Sequence, residues 1–225
     1  NTLDGVTAGT ISASKAVIVD SNKDISGFRN ITGTGNLTVD GGTVKLDGNY
    51  PTGSSNVALG DGALDDGSLS GHNNTAIGEN TSGSINTAIG GQSLKANTTG
   101  VCNVGVGYAT LFDNTTGLQN TAIGSYSLTN NTTANNNTAV GYNSLLTNTT
   151  GTCNTAVGKS ALATNQTGVN LTAVGMNALL NNTADSNTSV GFNSMCVNSS
   201  GASNTALGVN ALKANTTASD NVAVG

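Results

Sequence analysis

Residues 137–153 read NTAVGYNSLLTNTTGTC, and residues 154–170 read NTAVGKSALATNQTGVN. Each segment is seventeen residues long, and both keep Asn, Val, Gly and Leu at the same places. Self-similarity at a fixed period is typical of solenoids, in which each repeat is one structural unit that stacks on its neighbours. The sequence therefore predicts a repetitive architecture.

The phrase NTAVG, or a close variant of it, recurs eleven times between residues 56 and 225. In each copy the fourth residue is Ile, Val or Leu, and we assign this residue to the interior of the coil. This core ladder comprises Leu59, Ile77, Ile89, Val106, Ile123, Val140, Val157, Val174, Val190 and Leu207. A second interior ladder follows later in the repeat, with Leu94, Leu111, Leu128, Leu145, Leu162, Leu179 and Leu212. Between them lies a turn ladder of Gly78, Gly90, Gly107, Gly124, Gly141, Gly158, Gly175, Gly191 and Gly208.

A seventeen-residue unit is too short for two helices, and its central glycine would break a helix. The unit fits two short strands and two turns. Alternation within NTAVG sends Thr and Val to one face and Asn, Ala and Gly to the other. We expect Thr, Val and the later Leu to lie inside, which leaves Ala and Gly on an outer face that a second chain can approach.

The predicted fold is all-β, a parallel β-roll or solenoid over residues 51–225. Residues 1–50 form a separate β-rich segment, because short runs such as AVIV and NLTV alternate there with polar turns. Pro51, the single proline, lies between the two styles of sequence and marks the boundary. Only 3% of the residues are aromatic, so the core of such a roll is thin, and side-by-side association into a homotrimer is expected.

The charge pattern excludes several partners. The net charge is −5 and only 8% of the residues are charged, with no basic stripe to neutralise phosphates. Nucleic-acid binding therefore has no electrostatic support. No apolar run is long enough to cross a bilayer, so membrane insertion is not expected.

Catalytic and metal chemistry find no support in the sequence. His72 is the only histidine, which excludes a histidine triad or a multi-histidine metal site within one chain. Three copies of His72 meeting on a trimer axis, or a cation at Asp61, Asp65 and Asp66, remain open alternatives. Glu79 has no partner carboxylate at a spacing suited to sugar hydrolysis. We predict no enzyme activity and no cofactor.

Other polar and aromatic residues also follow the repeat. The three cysteines, Cys102, Cys153 and Cys196, form no even framework and are interpreted as small buried residues. Asparagines at two places in the repeat are expected to stack and to hydrogen-bond along the solenoid. Many belong to N-x-S/T sequons, including Asn97, Asn114, Asn148 and Asn215, and we attribute them to the turn and not to glycosylation. A third set, Tyr108, Tyr126, Tyr142 and Phe192, forms either an aromatic ladder for glycan stacking or plain coverage of the edge.

At NTAVGYNSLLTNTTG the sequence resembles the head repeats of YadA-type trimeric adhesins, whose NSVAIG-like phrase builds a left-handed parallel β-roll. It is still more similar to seventeen-residue repeats in fibre and tail proteins of tailed phages. The resemblance covers residues 56–225, and residues 1–50 are similar to stretches of phage fibre proteins. It implies that strands from three chains share one axis.

The resemblance implies a structural segment of a phage tail fibre or similar virion appendage, a rigid trimeric rod that presents a host-recognition tip. Partners would then be other copies of the chain, further virion proteins and a host-surface glycan or protein. The chain stops on NVAVG, the opening phrase of another repeat, so we expect a piece of a longer protein. A bacterial trimeric adhesin head at the cell surface is the alternative. An ice-binding solenoid is a third hypothesis, against which the repeats lack a T-x-T strand.

Overall fold

The structure is a computed structural model in which residues 57–59, 75–77 and 83–225 are described, with β1 described by its backbone alone. The regular secondary structure of these residues consists of eleven strands of three residues each. They are β1 Val57–Leu59, β2 Thr75–Ile77, β3 Thr87–Ile89, β4 Val104–Val106, β5 Thr121–Ile123, β6 Thr138–Val140, β7 Thr155–Val157, β8 Thr172–Val174, β9 Thr188–Val190, β10 Thr205–Leu207 and β11 Val222–Val224. Each copy of the repeat phrase supplies one strand.

The strands form one parallel sheet in which their order follows the chain from β1 to β11. Pairing is in register, so that Thr138 lies beside Thr155 and Val140 beside Val157. This register follows from the repeat, because one repeat carries the chain once around the coil and returns the same residue type to the next rung. The predicted all-β parallel solenoid of seventeen-residue coils is confirmed.

Each strand ends at the turn glycine because the backbone there needs a residue without a side chain. Gly141 has φ of +133°, and a Cβ added to it would lie 2.7 Å from the backbone carbon of Gly158 in the next coil. The positive φ disfavours any residue with a side chain, and the backbone of the next coil leaves no room for a Cβ. The same arrangement repeats at the equivalent glycines from Gly90 to Gly208, whereas Gly78 lies outside the described residues.

The wall opposite the sheet is built of turns, so the prediction of two strands per coil is wrong for the described residues. Asn143, Leu145 and Cys153 have φ of +58°, +48° and +60°, and their equivalents in the other coils are also left-handed. This conformation aims their N–H groups along the solenoid axis. The N–H of Leu145, for example, donates to the carbonyl of Ala161 in the next coil at 3.0 Å. Bonds between coils offset a conformational strain of about 1 kcal/mol or more per residue.

The alternation along each strand has the opposite phase to the one predicted. Ala156 is completely buried, whereas Val157 is 36% exposed, and the strand threonines are mostly half-exposed. The reason is that the coil is thin. The large leucine from the turn wall fills its centre, and the facing sheet position has space only for a small residue.

The core-ladder residues of the strands therefore lie on the outer face of the sheet, half-exposed or exposed, which corrects their assignment to the interior. They are Ile77, Ile89, Val106, Ile123, Val140, Val157, Val174, Val190 and Leu207. The side chain of Leu59 lies outside the described residues. The leucine ladder of the turn wall occupies the interior, with Leu94, Leu111, Leu128, Leu145, Leu162 and Leu179 fully buried and Leu212 partly buried.

Two asparagine ladders run along the solenoid, as the repeat predicted. Both lie in the interior beside the apolar core, although the alternation pattern placed the leading asparagine of NTAVG on the outer face. Asn148 donates from Nδ2 to Oδ1 of Asn131 at 3.0 Å, which continues one ladder. In the other ladder the backbone N–H of Asn154 donates to Oδ1 of Asn137 at 3.0 Å. The carbonyl of Gly151 joins the ladders, since it accepts from Nδ2 of both Asn137 and Asn148. These bonds satisfy turn backbone groups that would otherwise be buried without partners.

Candidate interaction surface

The outward side of the β-sheet is a continuous surface without charge, in which a row of mostly threonines runs beside a row of Ile, Val and Leu. We call it the sheet face and define it as the outward side chains of the first and third residues of β2 to β10, such as Thr138 and Val140. The first residue is threonine in most strands and the third is always Ile, Val or Leu. No charged residue occurs in these strands. A regular, uncharged surface with many exposed β-branched side chains is typical of a site that another macromolecule covers.

A row of variable side chains borders the sheet face, at the position directly after each turn glycine. In the described coils its members are Gly91, Tyr108, Ser125, Tyr142, Lys159, Met176, Phe192 and Val209. Tyr126 lies one residue further along the chain and places its ring between those of Tyr108 and Tyr142. The ring centroids are 5.4 Å apart for Tyr108 and Tyr126 and 6.2 Å apart for Tyr126 and Tyr142, with edge-to-face geometry in both pairs.

Glycosylation of Asn97, Asn114, Asn148 or Asn215 is not compatible with the folded coil. Asn114 and Asn148 are completely buried, and Asn97 is nearly so. Asn215 is less covered, but its Nδ2 donates to Oδ1 of Asn198 at 2.9 Å and to the carbonyl of Ala218 at 3.0 Å. These amides belong to the interior ladder, which supports their assignment to the turn.

Two of the three cysteines differ from the prediction of burial. Cys102 and Cys153 are exposed, and only Cys196 is buried. The two exposed cysteines directly precede a leading asparagine and have left-handed backbones. Since the following asparagine occupies the interior, the cysteine side chain points to solvent.

Residues 57–59, 75–77 and 83–225 were compared with the requirements of a metal site and of a membrane-spanning helix. No group of three His, Cys, Asp or Glu side chains is placed to hold a metal ion there, and no helix in these ranges is long and apolar enough to cross a membrane. His72, Asp61, Asp65, Asp66 and Glu79 lie outside the described residues, as does the predicted boundary between residues 1–50 and 51–225.

The sequence contained one signal for the true phase of the strand. The middle residue is always small, with alanine replaced only by Gly105 and Ser189. A Cβ on Gly105 would meet Oγ of Ser93 first and would lie 2.8 Å from Oγ1 of Thr110, and both side chains belong to the turn wall. A position restricted to small residues is one against which the opposite wall packs closely.

Searches of protein-family models, curated proteins and solved structures return no match to this chain. The surface itself therefore carries the functional argument.

Proposed function

We propose that this chain is a structural segment of a phage tail fibre or a similar virion appendage, and that three copies form a rigid rod that presents a host-recognition tip. The observation that carries the proposal is the sheet face, an uncharged row of Ile, Val and Leu beside a row of mostly threonines, repeated on every coil from β2 to β10. A monomer in water would leave this whole ladder exposed.

A second copy of the same chain is the occupant that best fits the sheet face. Every coil presents the same pair of side chains at the same axial spacing, so two parallel copies have matching periods along their whole length. A threonine methyl group and a valine or isoleucine side chain offer apolar contact without an unpaired charge. The middle position of the strand is filled inward by alanine, so the three-residue strand presents only these two side chains.

Rigidity follows from the hydrogen bonds between coils. Backbone bonds of the sheet, backbone bonds of the turn wall and both asparagine ladders all run along the axis. Ten steps between eleven strands, at about 4.8 Å each, give a rod of about 48 Å. Such a rod holds whatever follows it at a fixed distance, which is what a fibre segment requires.

The genes that surround the full reading frame test the virion assignment. Tail or capsid genes beside it, and fibre-type domains within it, are the expected result. A membrane β-barrel domain in the same frame would instead favour the bacterial adhesin head, which would use the same rod at a cell surface.

The ice-binding alternative gains one observation, because the strand threonines lie beside valine or isoleucine on the outer face of the sheet, whereas the sequence predicted them inside the coil. The strands still lack a second threonine. This function requires the sheet face to be free in water, so thermal hysteresis measured on a monomeric chain would favour it over the trimeric rod.

A further inference from the structure

The tyrosines of this protein are concentrated on one side of the roll. The chain has four tyrosines, and three of them, Tyr108, Tyr126 and Tyr142, lie on three successive coils. They are 46%, 37% and 48% exposed. We call these three residues the tyrosine row. Stacking of the coils does not require aromatic residues here, since coils outside the row have glycine, lysine, methionine or valine directly after the turn glycine.

The rings of the tyrosine row support one another without being buried. Edge-to-face contacts join them in sequence, and such contacts contribute about 0.5–1.5 kcal/mol per pair. Tyr108 also lies beside Gly91 of the preceding coil, where an added Cβ would be 3.6 Å from the ring. The aromatic surface is therefore already ordered, which lowers the entropic cost of binding a ligand.

Two polar groups next to the row have no partner within the described residues. The amide of Asn143, the residue after Tyr142, makes no side-chain hydrogen bond there, whereas the equivalent Asn177 donates to Oδ1 of Asn193 at 3.0 Å. Lys159 follows Tyr142 at the same place in the next coil, is exposed and has no ion-pair partner in this part of the chain. Along the bordering row of the described coils, it is the only charged residue.

We propose that the tyrosine row, together with Asn143 and Lys159, binds an oligosaccharide that carries a carboxylate group. The C–H face of a pyranose ring packs against an aromatic ring, its hydroxyl groups bond to an amide and to phenol oxygens, and its carboxylate pairs with an ammonium group. A single-stranded nucleic acid also stacks on aromatic rings, but it needs a basic groove along its backbone, and one lysine does not supply this.

This site goes beyond the role of the rod. It places a recognition surface on the flank of the fibre, whereas the proposed function needs only a tip. It also distinguishes the three coils of the tyrosine row from the last three described at this place, where the residues bordering the sheet face are Met176, Phe192 and Val209 and have no phenol group.

Tyrosine fluorescence tests this proposal directly because the chain has no tryptophan. The full chain with Tyr50→Phe keeps only the three tyrosines of the row. Three carboxylated probes, a galacturonate tetramer, a mannuronate tetramer and sialyllactose, would be titrated beside a neutral galactose tetramer. Saturable quenching by at least one carboxylated probe, at lower concentration than the neutral one needs, is the expected result. The absence of quenching by all three overturns the proposal.

Variants assign the binding to named residues. Tyr142→Ala should abolish the quenching and Tyr142→Phe should keep most of it, since the phenylalanine ring still stacks. Lys159→Gln should lower the affinity for the carboxylated probe about fivefold, because an exposed ion pair contributes up to about 1 kcal/mol. The affinity for the neutral probe should not change. Phe192→Ala, at the same place in a coil outside the row, is the matched control and should bind normally. Equal binding by Tyr142→Ala or by Lys159→Gln would contradict the assigned site.

The mass of the Tyr142→Ala variant separates this proposal from the proposed function. An unchanged oligomer that has lost probe binding supports a saccharide site on the flank. A change of oligomeric state in this variant would show that the row is a contact between copies. That result would contradict the saccharide proposal and would leave the proposed fibre function unaffected.

Discussion

Ala139 and Val140 are adjacent on β6, and their side chains lie on opposite sides of the sheet. Ala139 is completely buried against the turn wall, whereas Val140 is half-exposed on the sheet face. The residue with the larger apolar side chain is thus the one left outside. A thin coil needs the small residue inside, and the outward valine is available for contact with another copy.

Enlarging the buried alanine should damage the fold more than shortening the outward valine. Ala139→Val adds two methyl groups to a filled interior and should cost about 1–3 kcal/mol in unfolding free energy. Val140→Ala removes side-chain atoms from an outer face and should change the stability of the isolated chain by less than about 1 kcal/mol. Denaturant unfolding at a concentration where the chain is monomeric would compare them, and the reverse order would restore the phase predicted from sequence.

The interior asparagine ladder should be sensitive to single substitutions. Asn131→Ala removes the bonds of its Nδ2 to Asn114 and Ala134. It also removes one of the two acceptors of the Asn148 amide, which keeps its bond to the carbonyl of Gly151. We expect a loss of about 2–4 kcal/mol in unfolding free energy, since buried polar groups are left unpaired. Asn130→Ala is the matched control, because that side chain makes no hydrogen bond within the described residues, and its effect should be small. Similar melting temperatures for both variants would show that the ladder contributes little.

The turn glycines should not accept alanine. Gly141→Ala would place a Cβ 2.7 Å from the backbone of Gly158 in a conformation with φ of +133°, and we expect a cost of about 3 kcal/mol or more. Gly91→Ala is the control, because Gly91 has no positive φ and its added Cβ would meet only the ring of Tyr108 at 3.6 Å. Thermal unfolding followed by circular dichroism would compare them. If Gly141→Ala melts like the parent chain, the close stacking of the turns is wrong.

Removing one whole coil should leave a folded, shorter rod. Deletion of residues 187–203 joins Ser186 to Asn204, which is again the start of a repeat. The length should fall by about 4.8 Å, because each coil contacts only its neighbours. Deletion of residues 187–194 alone shifts every ladder out of register and should unfold the coils around it. Small-angle scattering of both proteins would show whether the coil is the structural unit.

The repeat period was predictable from sequence because the same residue types, Asn, Val or Ile, Gly and Leu, recur at fixed spacing, and stacking of the coils explains this recurrence. The phrase starting at Asn137, the left-handed Gly141 and the interior Leu145 all follow from it. The prediction of the phase of the strand was wrong, since alternation fixes which residues share a face but not which face is inside. The left-handed backbones of Asn143 and Leu145 were also missed, because leucine has no preference for that conformation and adopts it only under the constraint of the stacked coils.

Of the two candidate surfaces, one was predictable from the sequence and the other was not. The tyrosine row could be located from sequence because its residues occur at neighbouring repeat positions. The sheet face could not be located from sequence, because its position depends on which side of each strand faces the interior. The restriction of the middle strand residue to Ala, Gly or Ser would have supplied the missing information, since only a packed interior imposes such a limit on size.

The central claim, that copies of this chain associate through the sheet face, is tested most directly by native mass measurement on the full chain. The account predicts a species of three times 22.1 kDa for the parent chain. It predicts dissociation for Val140→Asp combined with Val157→Asp, which places charges on the sheet face. The same pair of changes at Thr133 and Thr150, which are exposed on the turn wall, should leave the trimer intact. A folded monomer for the parent chain, or a trimer that survives the sheet-face charges, would contradict the account.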